Sequence, residues 1–400
     1  MKELVIRSKN TISRYCKKNN IPIEKFNRPI KIAKNVTDCS CMFAYCESFN
    51  QPVEIPEGVK DCSEMFWDCK SFNQPIKIPN GVENCLKMFC MCESLNQPVV
   101  IPDTVKDCSE MFCSCLRYNQ PTVIPPEGFA RGMFINCKSF NQPVKIPDSV
   151  EICADIFEGC ESFNQSIIIP ENVTNCAHMF AYCKSFNQPI KIPDSVEICV
   201  GMFEYCESFN QLIIIPENVT DCWYMFRGCT SFNQSVNIPE YVQDCHGMFE
   251  ECAHLNSPIT MPKKSKSCRN IFAYCTSFNQ PVMIPETTDC SEMFKGCISF
   301  NQFVVIPEGV VDCSFMFYCC YKFNQDIVLP NSLRKAQAMF TQCYSLKQSI
   351  VVPISVIERA DMFYCSGCDD DMVVTKNFIG PFSIPKSKYN TPLEFIFDVD

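Results

Sequence analysis

The sequence predicts an α/β solenoid, a stack of about fifteen coils of 23 residues in which each coil supplies one short parallel strand and one short helix. The string SFNQP recurs along the chain, and its phenylalanine-equivalent position returns every 23 residues, with two steps of 22. Phenylalanine and cysteine are abundant, at 33 each, whereas glycine is scarce, at 12. Because a unit of 23 residues cannot bury its apolar face alone, its copies must stack on one another.

Residues 1–25 are predicted to form an N-terminal cap. This lysine-rich segment is amphipathic, with Ile12, Tyr15 and Cys16 on the side opposite a lysine pair. The apolar side would cover the first coil, since an open solenoid needs irregular ends that prevent end-to-end stacking.

The repeat solenoid is predicted to span residues 26–365, and each copy begins with a strand. In PIKIP, Ile76 and Ile78 alternate with Lys77, which is the pattern of a half-buried strand. Proline on both sides keeps this strand short. Equivalent strands of successive coils would then form a parallel sheet.

The second half of each copy is predicted to be a short helix. Val59, Cys62, Phe66 and Cys69 stand at i, i+3, i+7 and i+10, which places them on one helical face. Small polar or acidic residues after the preceding proline suit a helix start.

Two cysteine columns flank the Met-Phe pair of the consensus C-x-S-F-N-Q-P-h-x-I-P-x-x-V-x-x-C-x-x-M-F-x-x-C, in which h is apolar. They hold 26 of the 33 cysteines and are predicted to be buried thiol ladders, because free cysteine behaves as a small hydrophobe. Disulfides within or between coils are the alternative, and the spacing disfavours a zinc site. The representative ladder members are Cys46, Cys62, Cys69, Cys85, Cys92, Cys183, Cys206 and Cys229.

Residues 366–400 are predicted to form a degenerate last coil and a C-terminal cap. Residues 378–385 still echo the repeat, and residues 393–397 would add a terminal strand. Cys365 and Cys368 form a C-x-x-C pair, which is interpreted as decay of the ladder rather than as a redox motif.

The repeat unit M-F-x-x-C-x-S-F-N-Q-P-h-x-I-P-x-x-V resembles the BspA-type leucine-rich repeats, especially their M-F-x-x-A-x-x-F-N-Q subclass in bacterial and mycoplasma surface proteins. Its F-N-Q-P…I-P-x-S-V part is also similar to the FNIP repeats of amoebae and giant viruses. The resemblance covers roughly residues 26–365. It implies a leucine-rich-repeat-like solenoid used for adhesion or protein binding, and it brings no catalytic residues.

The sequence predicts a non-catalytic protein-recognition solenoid without a cofactor that binds a protein partner, with a role in host interaction as one candidate. The three histidines lack a partner at catalytic spacing, and the net charge of −10 argues against nucleic acid. No apolar run approaches the ~18–20 residues of a membrane helix. Because no signal-peptide core is visible, a cytoplasmic or virion-associated location is favoured over the cell surface. The alternative is a structural or adhesive virion or cell-surface component with oxidised cysteines.

The candidate partner surface lies on the outward positions of the strands, where the x of h-x-I-P points away from the core. Its last four members form an apolar stripe, which a protein partner or a second copy of the chain could cover. The competing interpretation is that β-branched residues simply favour strands. The candidate residues are Val100, Val123, Ile168, Ile214, Met283, Val305, Val328 and Val351, with Phe303 in a proline position.

A candidate basic patch replaces the usual E-x-V of one coil. It consists of Lys263, Lys264, Lys266 and Arg269. Such a patch could dock an acidic partner or phosphate, or it could be ordinary solvated surface.

Overall fold

The computed structural model describes residues 3–368 and the backbone of residues 373–375. The predicted echo of the repeat at 378–385 and the predicted strand at 393–397 lie outside the described residues. Successive copies of the repeat stack on one another around a continuous apolar core, so the predicted solenoid is confirmed. The count of fifteen coils and the cap boundaries stay predictions.

Two stacked columns of phenylalanine run through the core. Phe66 of the Met-Phe pair lies 5.1 Å from Phe43 in the preceding coil and 5.5 Å from Phe89 in the next, measured between ring centroids. Within its own coil it lies 4.3 Å from Phe72 of the FNQ motif. All these rings are fully buried and nearly parallel, so each coil shares its apolar surface with both neighbours.

The strand segments are short and parallel, as the sequence predicts. Their inner residues are buried and the residue between them is exposed, for example Ile30 and Ile32 around Lys31. Parallel pairs join β1 to β2, β3 to β4, β5 to β6 and β7 to β8. The strands are β1 Leu4–Ile6, β2 Ile30–Ile32, β3 Ile76–Lys77, β4 Val99–Val100, β5 Val236–Asn237, β6 Ile259–Thr260, β7 Ile350–Val352 and β8 Val373–Thr375.

The predicted helix of each coil is wrong. Within the described residues, the only helices are α1 (Thr11–Asn19) and a 3-10 turn (Ile23–Lys25), both ahead of the repeats. The Met-Phe segment is instead a run of overlapping turns. Its N–H groups bond alternately within the coil, as from Met42 to Cys39 at 3.2 Å, and to the next coil, as from Phe43 to Met65 at 2.8 Å.

Left-handed backbone at two positions explains why the segment cannot be a helix. In the first coil these are Cys41, with φ of 54°, and Tyr45, with φ of 65°, and the same two positions recur in the following coils. An α-helix tolerates no such residue in its interior. The buried side chains still follow helix-like spacing, so the apolar periodicity could not distinguish the two structures.

An asparagine ladder ties each FNQ corner to the next. The Oδ1 of Asn187 accepts hydrogen bonds from the backbone N–H of Asn210, at 3.0 Å, and from Nε2 of Gln211, at 2.9 Å. The backbone bond repeats along the stack from Asn27 to Asn324, where Lys347 is the final donor. The ladder fixes the register of successive coils, so residues at equivalent positions lie in columns along the stack.

The segment before the first coil extends the stack at its N-terminal end. Strand β1 adds to the sheet beside β2, with Val5 opposite Lys31. Helix α1 buries Ile12 and Cys16 in the core. The ring of Tyr15 packs edge-on against Phe26, the first ring of the FNQ column.

Candidate functional site

The outward strand positions form one exposed surface, which we call the sheet face. Two of its residues, Met283 and Val328, expose 87% and 79% of their surface, although both are large and apolar. The asparagine ladder places Met283, Val305, Val328 and Val351 in four successive coils. The structure therefore brings these four predicted residues together.

The remaining predicted members of the partner surface are distributed along the same face. Val100 and Val123 occupy adjacent coils, whereas Ile168 and Ile214 are separated by the coil that carries Lys191. All four are exposed. The Nζ of Lys191 pairs with Glu171 at 2.7 Å, so part of the charge in this region is compensated within the protein.

A second outward column widens the sheet face. It contains the residue after FNQ, which is usually proline, and in it Phe303 lies beside Val305. Leu212 occupies the same column beside Ile214 and exposes 62% of its surface. The sequence analysis missed Leu212, although replacement of the repeated proline by a large apolar residue was a visible signal.

Carboxylates face three of the four cations of the predicted basic patch. Lys263 pairs with Glu240 at 3.9 Å and Lys264 with Glu286 at 3.0 Å. Arg269 pairs with Glu292 at 2.9 Å, and Lys266 joins Lys264 in lining a shallow depression of about 420 Å³ beside Tyr241. These pairs reduce the positive charge that the patch can present to an anion.

The ladder cysteines are buried free thiols. In the column after Met-Phe, each sulfur from Cys69 to Cys343 lies close to a carbonyl of the preceding coil, as Cys69 Sγ does to Phe43 O at 3.1 Å. Burial raises the pKa of Cys46 to about 12 and holds that of Cys69 well above its usual value. The same burial and free state apply to the other predicted ladder members, namely Cys62, Cys85, Cys92, Cys183, Cys206 and Cys229.

A second surface, which we call the turn face, consists of the outward side chains of the Met-Phe segments. Near its middle, the guanidinium of Arg227 lies 4.8 Å from the ring centroid of Tyr224 and 5.4 Å from that of Tyr205. It also lies 3.4 Å from Glu204 and 3.2 Å from Glu250. We call these five residues the Arg227 cluster.

The two glutamates of the Arg227 cluster are more than nine-tenths buried. Burial raises the pKa of Glu204 and of Glu250, although the charge of Arg227 opposes this effect. Two poorly hydrated carboxylates therefore lie beside the same guanidinium, that of Arg227. The sequence analysis missed it because these positions vary between copies. Its signal was Glu204, Arg227 and Glu250 at intervals of 23.

Glycine makes room for the aromatic side chains of the turn face. The ring of Tyr205 lies over Gly228 of the next coil, and the ring of Tyr224 lies over Gly247. The two glycines lie in the two left-handed columns of the Met-Phe segments, and their φ angles are 68° and 57°. The same pairing places His178 over the glycine one coil later. An aromatic residue followed one repeat later by glycine was the sequence signal.

Two features are absent from the described residues. In residues 3–368, no helix is both long and apolar enough to cross a membrane. That same part of the chain holds no group of three or more histidine, cysteine, aspartate or glutamate side chains placed to bind a metal ion.

The geometry defines the class first: the chain is a repeat solenoid of the leucine-rich-repeat type. A leucine-rich repeat protein from Bacteroides ovatus is 22% identical, with a TM-score of 0.65 over 93% of this chain and 91% of that one. A leucine-rich cell surface protein from Faecalibacterium prausnitzii is 21% identical, with a TM-score of 0.43 over 80% and 78%. At these identities the first likeness establishes the fold alone.

The repeats also match a family model described as "Mycoplasma protein of unknown function, DUF285". The matches cover residues 10–98, 56–124, 130–213, 199–306 and 264–353, which together span most of the chain. The chain therefore belongs to this family. No curated protein matches it.

Proposed function

We propose that the protein is a non-catalytic recognition solenoid that binds a protein partner through the apolar part of its sheet face. One observation carries this proposal: Met283, Val305, Val328 and Val351 are exposed in four successive coils and form one continuous stripe. An apolar patch of this kind on a rigid surface is typical of a protein–protein contact.

The rest of the sheet face supports an apolar anchor rather than a charged one. Phe303 widens the stripe beside Val305 and offers an aromatic side chain, the residue type enriched at the energetic centres of interfaces. Farther along the face, Lys77 and Lys191 pair with neighbouring glutamates. The partner surface that fits is therefore predominantly apolar.

Site-specific photocrosslinking tests this proposal. A photoreactive phenylalanine analogue placed at Val328 should form one defined adduct with another protein in the native source. The same analogue at Tyr344, a partly exposed turn-face residue one coil away, is the matched control and should not form that adduct. Introducing Val305→Lys and Val351→Lys should abolish the Val328 adduct while the circular dichroism spectrum stays unchanged.

Each other outcome contradicts partner binding through the stripe. An adduct of twice the chain mass would identify a second copy of the chain as the occupant. Equal adducts from Val328 and Tyr344, or an adduct that survives both lysine substitutions, would remove the sheet face from recognition.

We further propose that the repeats fall in the BspA-type subclass with M-F and F-N-Q motifs and that part of each repeat is similar to FNIP repeats. We also propose a cytoplasmic or virion-associated location, and the buried free thiols support the cytoplasmic one, because the cytosol keeps cysteines reduced. The alternative is an adhesive or structural component with oxidised cysteines. It requires disulfides where the sulfurs now lie against the phenylalanine carbonyls.

A further inference from the structure

We propose that Cys90 and Cys113 form a redox modification site on the turn face, a dithiol that closes to an intramolecular disulfide. Neither residue belongs to the ladder columns. Both follow the phenylalanine of a Met-Phe pair, in two successive coils.

Backbone hydrogen bonds hold the two cysteines opposite each other. The N–H of Phe89 donates to the carbonyl of Met111 at 2.9 Å, and the N–H of Met91 donates to that of Cys113 at 2.7 Å. These bonds lie on either side of Cys90. They place it in register with Cys113, as in a parallel ladder.

The separation of the two coils suits a disulfide. The rings of Phe89 and Phe112, the residues immediately before the two cysteines, lie 5.7 Å apart between centroids and are nearly parallel. Hydrogen-bonded neighbours in a parallel ladder lie about 4.8 Å apart, within the Cα separation of about 4.4–6.8 Å that disulfides bridge.

Access distinguishes Cys113 from the ladder cysteines. Cys113 is partly exposed, whereas Cys115, two residues later in the ladder, is fully buried, and Cys90 is buried behind Cys113 in the neighbouring coil. Two other outward cysteines face side chains that cannot form a disulfide. Cys41 contacts Glu64, and Cys319 contacts Gln342.

The two thiols also interact directly. A hydrogen bond between the Cys90 and Cys113 side chains lowers the pKa of Cys113, against the opposing effect of its burial. The same hydrogen bond, together with burial, raises the pKa of Cys90. Cys113 is partly exposed and Cys90 is buried, so Cys113 is the thiol that an oxidant reaches, and its thiolate is the attacking nucleophile.

The oxidant is a peroxide. The Cys113 sulfur attacks one peroxide oxygen, an S–O bond forms, the O–O bond breaks, and hydroxide leaves and is protonated to water. The Cys90 sulfur then attacks the sulfenic sulfur and loses its proton, and a second water leaves as the S–S bond forms. Two thiols are oxidised by one peroxide, which is reduced to two water molecules.

Alkylation and peptide mapping of the full-length protein test the proposal. In the native reduced protein, iodoacetamide should label Cys113 at least about tenfold faster than Cys115, the buried matched control. Hydrogen peroxide should then lower the intact mass by two hydrogens and yield a Cys90–Cys113 cross-linked peptide that dithiothreitol removes. The Cys41→Ser variant should keep this cross-link.

The Cys90→Ser variant should retain a reactive Cys113 but stop at sulfenic acid, detectable with dimedone. Equal labelling of Cys113 and Cys115, a cross-link between ladder cysteines, or an oxidised protein in which Cys90 stays free would overturn the proposal. The wild-type peptide map decides the question alone if Cys90→Ser fails to fold.

Discussion

Replacing Gly228 by alanine should destabilise the turn face by a steric conflict with the preceding coil. Gly228 has φ of 68°, and an added Cβ would lie 2.6 Å from Cε1 of Tyr205 and nearer still to Cδ1. The ring cannot move away without cost. Its centroid lies 5.1 Å from that of Tyr182 and 5.4 Å from the guanidinium of Arg227.

The expected loss of unfolding free energy is the sum of three effects. Left-handed backbone costs an alanine about 1–2 kcal/mol relative to glycine. Displacing the Tyr205 ring loses an aromatic pair, about 0.5–1.5 kcal/mol, and a cation–π contact, about 0.5–1 kcal/mol. The total is about 2–4.5 kcal/mol.

Urea unfolding followed by circular dichroism measures this loss, provided that the slope of the transition is the same for every variant. A double-mutant cycle isolates the ring. In a Tyr205→Ala background, Gly228→Ala should cost only the backbone effect of about 1–2 kcal/mol.

Two other glycines separate the contributions. Gly309 has φ of 103° but open space around its Cβ position, so Gly309→Ala should show the backbone effect alone. Gly58 has open space and no left-handed backbone, so Gly58→Ala should not destabilise the protein and should add about 0.4–1 kcal/mol. The reasoning is refuted if Gly228→Ala costs the same with and without Tyr205, or no more than Gly58→Ala.

Three further predictions concern the ladders and the Arg227 cluster. Asn187→Ala should cost about 1–3 kcal/mol in urea unfolding, because Asn210 N–H and Gln211 lose their acceptor, whereas Asn187→Asp keeps an oxygen there and should cost less. Arg227→Met should cost about 2 kcal/mol at pH 8, because Glu250 stays buried without its cation. That cost should shrink toward pH 5: burial raises the pKa of Glu250, so its carboxyl destabilises the fold as pH rises and is neutralised as pH falls. A reducing agent should leave the thermal melting temperature unchanged, since the ladder cysteines are free thiols, and a large decrease would instead favour the cross-linked alternative.

The sequence predicted the stack and its buried columns because those features repeat. Ile76 and Ile78 alternate with Lys77 at the period of a strand, and the structure buries the two isoleucines and exposes the lysine. The helix was predicted wrongly because inward spacing alone does not specify hydrogen bonding. Six of the 12 glycines occupy the two left-handed columns, as Gly228 and Gly247 do, and this was the available contrary signal.

The sheet face was readable for the same reason, since every second strand residue must point outward. The Arg227 cluster was not, because its three charged members lie 23 residues apart and occupy positions that vary from copy to copy. The ion pairs form between equivalent positions of neighbouring coils. Arg227 therefore meets Glu204 and Glu250, 23 positions before and after it, as well as Tyr224 in its own segment.

This geometry separates the positions that build the solenoid from those free to recognise other molecules. In almost every coil, packing and hydrogen bonding are provided by the phenylalanines, the ladder thiols and the asparagine corner. The side chains of the outward columns are therefore not needed to hold the coils together. A single outward substitution changes one position in a column. A binding surface needs side chains of the same chemical character in several adjacent coils. Four successive coils carry an exposed apolar residue at this position, namely Met283, Val305, Val328 and Val351. A coil that carries a lysine separates Ile168 from Ile214. The apolar stripe is for that reason the part of the sheet face best suited to the proposed partner contact.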